Sequence, residues 1–321
     1  MISSEKIIAS AKKTILSESN SIAKLSDFVD DTFAEAVAEI FNSTGRLVVT
    51  GIGKSAIIAQ KLVASFNSTG TASLFLHASE AIHGDLGMIQ DHDVIICISK
   101  SGNSPEIKVL VPLLKRFGNK LIAITGNMTS FLAKEAHFTL NTFVESESCP
   151  NDLAPTNSTT AQLVMGDAIV VCLMELRNFT STDFAKYHPG GALGKSLLLR
   201  VGDMLDSTRK PSVRSNASIK EVIVEISEKR LGVTVVIEND KIVGIITDGD
   251  IRRMLNKTET IAGVFAKDIM TASAKTIHSA DLVRDAMNIM EQFSITQLVV
   301  SDEGVYKGIL HLHDILKEGI V

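Results

Sequence analysis

The apolar positions of this chain change their period twice. Through residues 1–45, Leu25, Phe28, Val29, Phe33, Val37 and Ile40 fall near a 3.6-residue repeat among acidic and small residues, which predicts helix. From residue 46 the rhythm shortens. Apolar runs at 46–50, 73–76, 93–99, 120–125 and 137–140 predict strands, and longer helical patterns alternate with them, at 55–66 and 106–117 for example. Strands that are apolar on both faces and separated by helices indicate a parallel sheet covered on both sides. Residues 159–176 predict a further helix, mostly apolar and well buried.

Near residue 200 the pattern changes again. The stretch 206–216 (DSTRKPSVRSN) is polar and carries a proline, as a linker would. Beyond it lies an internal repeat. Gly244, Ile245, Asp250 and Ile251 recur 64 residues later as Gly308, Ile309, Asp314 and Ile315. Val235 and Val236 recur as Val299 and Val300, and Ile226 as Met290; Asp203-Met204 answers Asp268-Ile269. Each copy reads as strand, helix, strand, tight turn, strand, helix, and two copies of one unit sharing a core pack as a pseudo-symmetric pair.

Two loops concentrate groups suited to an anion. Thr50-Gly51-Ile52-Gly53-Lys54-Ser55 follows a predicted strand and opens a helix, where glycine lets backbone approach an anion and free amides favour negative charge. It is not a Walker A loop, which needs four residues between its glycines, and Ala56 breaks GxGxxG. A tight structural turn is the alternative. Ser99-Lys100-Ser101-Gly102-Asn103-Ser104 again lies between strand and helix, with three hydroxyls and Pro105 at the helix entry. An ordinary N-cap needs only one of those serines, so the second loop favours phosphate. Both loops lie at C-terminal strand ends, where open α/β sheets bind ligands.

Acid–base groups cluster nearby in sequence: His77, Glu80, His83 and Asp85, then Glu145 and Glu147, and His188 on a glycine-rich loop. Moving a proton between adjacent sugar carbons needs a carboxylate base and a group that polarises the carbonyl, roles that Glu106, Glu147, Lys54 and the histidines could fill. A metal at His77 and His83 is the alternative use of those rings, but spacing offers no third ligand.

Composition narrows the partners. A net charge of −5 and 5% aromatic content with no Trp argue against a nucleic-acid partner, which needs basic surfaces and stacking platforms. Cys97, Cys149 and Cys172 form no CxxC pair and read as reduced core residues. The first residues carry no secretory apolar segment, and no apolar run is read as approaching the ~20 residues that span a bilayer, so no membrane partner and a cytoplasmic location are expected.

The runs GIGKS, EAIHGDLGMI, SKSGNSPEI, ITGN, ESCPNDLAPTNSTT, MGDA and HPGGALGKSLLLRVGDM resemble the D-arabinose 5-phosphate isomerases, which are built on a sugar isomerase (SIS) domain. The segments ITDGDIRRML and ILHLHDIL resemble a pair of CBS domains, which often bind nucleotides. The resemblance implies an α/β fold with a five-stranded parallel sheet over residues 1–200, then CBS domains over 203–260 and 266–321. It implies interconversion of D-arabinose 5-phosphate and D-ribulose 5-phosphate, feeding synthesis of the lipopolysaccharide sugar Kdo, in a homotetramer whose sites draw on more than one subunit. Carried onto this chain, Lys54, Glu106, Glu147 and His188 are the catalytic candidates. Ser99, Ser101 and Ser104 would hold the phosphate, with Ser55 and Thr156 near it. His83, Gly70 and Thr71 would contact substrate, and His77 matches a position linked to inhibitory zinc. No cofactor is required; a nucleotide at the CBS pair is the further ligand implied.

The chain departs from the family at Lys100, where Asn is common and a second cation in the phosphate loop would tighten phosphate binding, and at Ala72, where Pro is frequent and its loss would loosen the loop. The expected route is a cis-enediol, with Glu147 first and Glu106 second as the proton shuttle. Lys54 would stabilise the enediol oxygens, and His188 or His83 would open the ring or move hydroxyl protons. A non-catalytic sugar-phosphate sensor and an isomerase of another phosphosugar remain alternatives. A DNA-binding regulator would need a basic helix-turn-helix, and residues 1–45 are too acidic for one.

Overall fold

In a computed structural model that describes residues 3–258 and 260–320, the strands predicted in the first half form one parallel sheet. They are β1 (Leu47–Gly51), β2 (Ser73–His77), β3 (Val94–Ile98), β4 (Lys120–Thr125) and β5 (Phe138–Asn141), in the order β2-β1-β3-β4-β5. The helices around them are α1 (Ser4–Leu25), α2 (Asp31–Asn42), α3 (Lys54–Ser68), α4 (Ala78–Ala81), α5 (Pro105–Arg116), α6 (Phe131–Glu135), α7 (Asn157–Leu176) and α8 (Ser181–Tyr187).

Alternation along the strands sorts the core into two layers. Leu47, Val49, Ile96, Ile98, Ile122 and Ile124 pack with α2, α3 and α7 through Phe33, Val37, Leu62, Phe66, Met165 and Ile169. Val48, Ile95, Cys97, Leu121 and Ala123 face the other way, onto Ile107, Leu110 and Leu114 of α5. A strand buried on both faces must be apolar throughout, which is why these runs show no polar alternation.

Three sequence expectations need correction in this half. Residues 1–45 are not one helix: Asp30 stops the pattern and caps α2, its carboxylate accepting from the amides of Thr32 (3.0 Å) and Phe33 (3.3 Å). The helix α7 is long and apolar enough to cross a membrane, 20 residues with a mean hydropathy of 1.5, contrary to the reading that no run approaches that length. Its Ala161, Met165, Ile169 and Leu173 are instead buried in the core. Cys97 is a core thiol, pushed up to about 12 by burial, but Cys149 is a loop residue whose sulfur accepts from the amides of Leu153 and Ala154.

A second unit begins at His188. It comprises α9 (Ala192–Leu198), β6 (Ser212–Arg214), α10 (Ile219–Lys229), β7 (Val233–Glu238), β8 (Lys241–Thr247), α11 (Asp248–Leu255), α12 (Ala266–Ile269), β9 (Thr276–Ile277), α13 (Val283–Phe293), β10 (Gln297–Asp302), β11 (Val305–His311) and α14 (Leu312–Lys317). One six-stranded sheet runs β6-β7-β8-β11-β10-β9, so the two repeats mirror each other about the β8–β11 pair. The stretch 206–216 is not a linker, because Ser212–Arg214 pairs in parallel with β7. Residues 188–200, read as the end of the first domain, belong with this unit: Lys195 pairs with Glu318 at 2.8 Å and the Val283 amide donates to the Leu199 carbonyl.

Candidate active site at the carboxyl edge of the parallel sheet

The strand order 2-1-3-4-5 reverses between β1 and β3, and this is where ligands bind in doubly wound sheets. Register places the candidates along that edge. Gly51 pairs with His77 on one side and Ile98 on the other, so the 51–54 and 99–104 loops emerge side by side. Gly53 takes φ 59°, opening α3 with no side-chain cap and Lys54 exposed as its first residue. The Ser55 hydroxyl donates to Gln162 Oε1 of α7 at 3.1 Å.

The 99–104 loop is held from two directions. Within it, Ser99 Oγ accepts from the Gly102 amide (3.1 Å) and Ser101 Oγ from the Asn103 amide (3.3 Å). From outside, the amides of Gly126 and Leu132 donate to the carbonyls of Lys100 and Gly102. Gly102 has φ 62°, and a Cβ there would overlap the Ser130 side chain, so this turn requires glycine. Ser104 occupies the N-cap of α5 but makes no cap bond, and its buried hydroxyl has no partner among the described residues. The first turn of α5 therefore presents backbone amides without a side-chain acceptor, next to an unspent hydroxyl. Glu106 sits in that turn, half-buried, with no hydrogen bond or ion pair among the described residues.

Glu147, in the segment between β5 and α7, has the opposite environment. Its side chain is 0% exposed. Oε1 accepts from Lys100 Nζ (2.6 Å) and from the Ser158 hydroxyl. Oε2 accepts from the amides of Thr156 (2.8 Å) and Ser158 (3.1 Å) and from the Thr156 hydroxyl (3.2 Å). Burial alone would raise the pKa of this carboxyl. The bonds from Lys100, the Ser158 hydroxyl and the amides of Thr156 and Ser158 outweigh it and hold the group down at about 2. Thr156 is thereby spent on Glu147 and on the Ser148 amide.

Several candidates fall outside this cluster. Gly70 and Thr71 precede β2 and so lie at the amino edge of the sheet, opposite the two loops within one chain, with the Thr71 hydroxyl accepting from Arg177. His77 stands at the correct edge with Nδ1 accepting from the Ser79 amide, and His83 is exposed just beyond α4. Among the described residues no three His, Cys, Asp or Glu side chains assemble as metal ligands, at His77 or elsewhere. His188 belongs to the second unit. Ser158 and Gln162 were absent from the expected site, and Lys100 was expected in the phosphate loop but not against Glu147. Ser158 and Gln162 lie at the head of α7, where the N-terminal hydroxyl run was legible, but a partner for Lys100 47 residues away left no local signal.

Comparison with known proteins agrees with this architecture. The SIS domain matches residues 39–172, and the CBS domain matches 201–257 and 266–320. The chain is 45% identical over 312 residues to "Arabinose 5-phosphate isomerase KdsD" of Salmonella typhi, covering 97% of this chain and 95% of that protein. The protein of the same name from Escherichia coli K12 is 43% identical over the same shares. Among solved structures, an E. coli CFT073 protein in complex with arabinose 5-phosphate superposes with a TM-score of 0.57 at 41% identity, covering 59% of this chain and all of that one. With its parallel sheet, its paired repeats and near full-length relatives of one name, the chain belongs to the arabinose 5-phosphate isomerase family of SIS-domain enzymes carrying two CBS domains.

Proposed function

We propose that this chain interconverts D-arabinose 5-phosphate and D-ribulose 5-phosphate through an enediol, with the phosphate seated in the 99–104 loop. The observation that supports this most is the open head of α5, where an unpartnered buried hydroxyl and uncapped amides stand at the switch-point crevice. A phosphate supplies acceptors for both. That the E. coli CFT073 neighbour was solved with arabinose 5-phosphate agrees with a sugar phosphate as ligand.

Of the two carboxylates, the geometry favours Glu106 as the base, reversing the order suggested by the sequence. A general base must accept a proton near neutral pH, and a carboxylate buried under five donors and held at about 2 is a poor acceptor. Glu106 carries no such ties among the described residues. In this reading Glu106 takes the proton from C2 of the aldose as electrons move to the carbonyl oxygen O1, the hydroxyl proton passes from O2 to O1, and the same carboxyl returns a proton to C1 as the C2 carbonyl of the ketose forms. Lys54, exposed at the start of α3, stabilises charge on the enediol oxygens. His83 or His188 serves ring opening.

Gly70 and Thr71 would reach the sugar only from a neighbouring subunit of a tetramer, since within one chain they lie at the other edge. Supply of Kdo synthesis, a cytoplasmic location, a nucleotide at the CBS pair and the absence of a nucleic-acid or membrane partner belong to the same proposal. Proton NMR of the full chain with D-arabinose 5-phosphate in D2O tests it. Ribulose 5-phosphate should appear with deuterium at the carbon next to the carbonyl. An inert arabinose 5-phosphate would sink the substrate assignment and direct the search to other phosphosugars.

A further inference from the structure

Lys100 is a member of the phosphate loop by sequence, yet its ammonium is directed at Glu147 in another segment. Three features show how loosely it is committed there. Glu147 keeps four donors without it, the Ser158 hydroxyl and amide and the Thr156 hydroxyl and amide, so the lysine is not needed to satisfy a buried carboxylate. The lysine side chain is 48% exposed where its partner is 0% exposed. An ammonium also carries three donors, of which the pair with Glu147 uses one. The Lys100 backbone, by contrast, is fixed, its carbonyl accepting from the Gly126 amide (3.1 Å) and the Thr125 hydroxyl (3.3 Å). A rigid anchor with a half-exposed cation at its end can serve two anions.

Resting on the phosphate-loop assignment above, we propose that Lys100 is a shared cation: it pairs with Glu147 before substrate binds and turns toward the substrate phosphate when the loop is filled. Lys100 is then a phosphate ligand that also couples occupancy of the loop to the segment running from Glu147 to the head of α7. The buried carboxylate competes with the phosphate for one ammonium, so Glu147 weakens phosphate binding while Lys100 strengthens it.

The test measures inorganic phosphate binding to the full chain by calorimetry, in a double-mutant cycle that needs no turnover. Lys100→Met should weaken binding about tenfold, and Lys100→Arg should restore most of it. Glu147→Gln should tighten binding several-fold by releasing the lysine, and the double variant should bind as weakly as Lys100→Met alone. Glu147→Asp, which withdraws the carboxylate by one methylene, should also tighten binding and serves if the Gln variant does not fold. Unchanged affinity in Lys100→Met overturns the role. Weakening by Lys100→Met with no tightening in either Glu147 variant rejects the sharing and leaves a plain phosphate ligand. Phosphate binding that Ser104→Ala does not alter removes the loop assignment itself, and this inference falls with it.

Discussion

Two helices begin beside the crevice, and they begin differently. The head of α7 is closed by the protein: Glu147 takes the amides of Thr156 and Ser158 and both of their hydroxyls. The head of α5 is open, with Ser104 in the N-cap position making no cap bond and Glu106 untied in the first turn. Both ends carry the same partial positive charge. In one the chain supplies the anion and gains a rigid joint. In the other the place of the anion is left to a ligand. The pair Lys100–Glu147 ties the loop that leads into α5 to the head of α7 at 2.6 Å. A carboxylate near an active site is thus not a base by position alone; its unspent lone pairs decide what it can do.

The sharpest way to break this contrast is to neutralise each carboxylate in turn. Glu106→Gln should lower kcat by about a thousandfold, within the span that general-base removal commonly costs, and leave the melting temperature near the wild-type value because the side chain makes no hydrogen bond or ion pair among the described residues. Steady-state rates with arabinose 5-phosphate, read beside a thermal scan, check both halves. If Glu106→Gln keeps more than a tenth of wild-type kcat while remaining folded, the base lies elsewhere and the contrast between the two heads carries no catalytic meaning.

How much of this was legible in the sequence follows from how local each cause is. Five apolar runs were enough to find the strands, because strands buried on both faces have little choice of residue. The repeat was legible because Gly244 and Gly308, with Asp250 and Asp314, keep equal spacing in one pseudo-symmetric sheet. The break at Asp30 was missed because apolar periodicity continues through it while a single carboxylate ends the helix. The strand at Ser212–Arg214 was missed because three residues at a sheet edge carry no apolar signature. The order of Glu147 and Glu106 depended on donors at Lys100, Thr156 and Ser158, which only the fold brings together.

A second prediction concerns the closed head. The Glu147 carboxyl lies at about 2 against an ordinary 4.5, so its folded-state pKa is depressed. Its contribution to stability is therefore complete above the ordinary value and is lost as pH falls toward 2. From those two values, the wild type should lose about 2 kcal/mol between pH 6 and pH 3 that Glu147→Gln does not lose, since each tenfold difference in proton affinity between the folded and unfolded chain is worth roughly 1.4 kcal/mol. Urea unfolding of both proteins at the two pH values gives the comparison. Parallel losses in the two proteins would mean that the donors around Glu147 do not favour its charged form, and the closed head would lose its electrostatic basis.

The smallest effect separates the two heads by a single hydroxyl each. Ser158 donates to Glu147, so Ser158→Ala should lower stability by about 1 kcal/mol, the net worth of an ordinary hydrogen bond or somewhat more for a charged acceptor. Ser104 has a buried hydroxyl with no partner, so Ser104→Ala removes an unsatisfied group and should leave stability unchanged or slightly raised. The same Ser104→Ala change should raise the KM for the sugar phosphate by about tenfold or more, since a hydrogen bond to a charged oxygen is lost only in the complex. Thermal unfolding and KM measured on both variants decide the matter. A Ser104→Ala protein that melts early with an unchanged KM would show that the hydroxyl supports the fold, and that the head of α5 is as closed as that of α7.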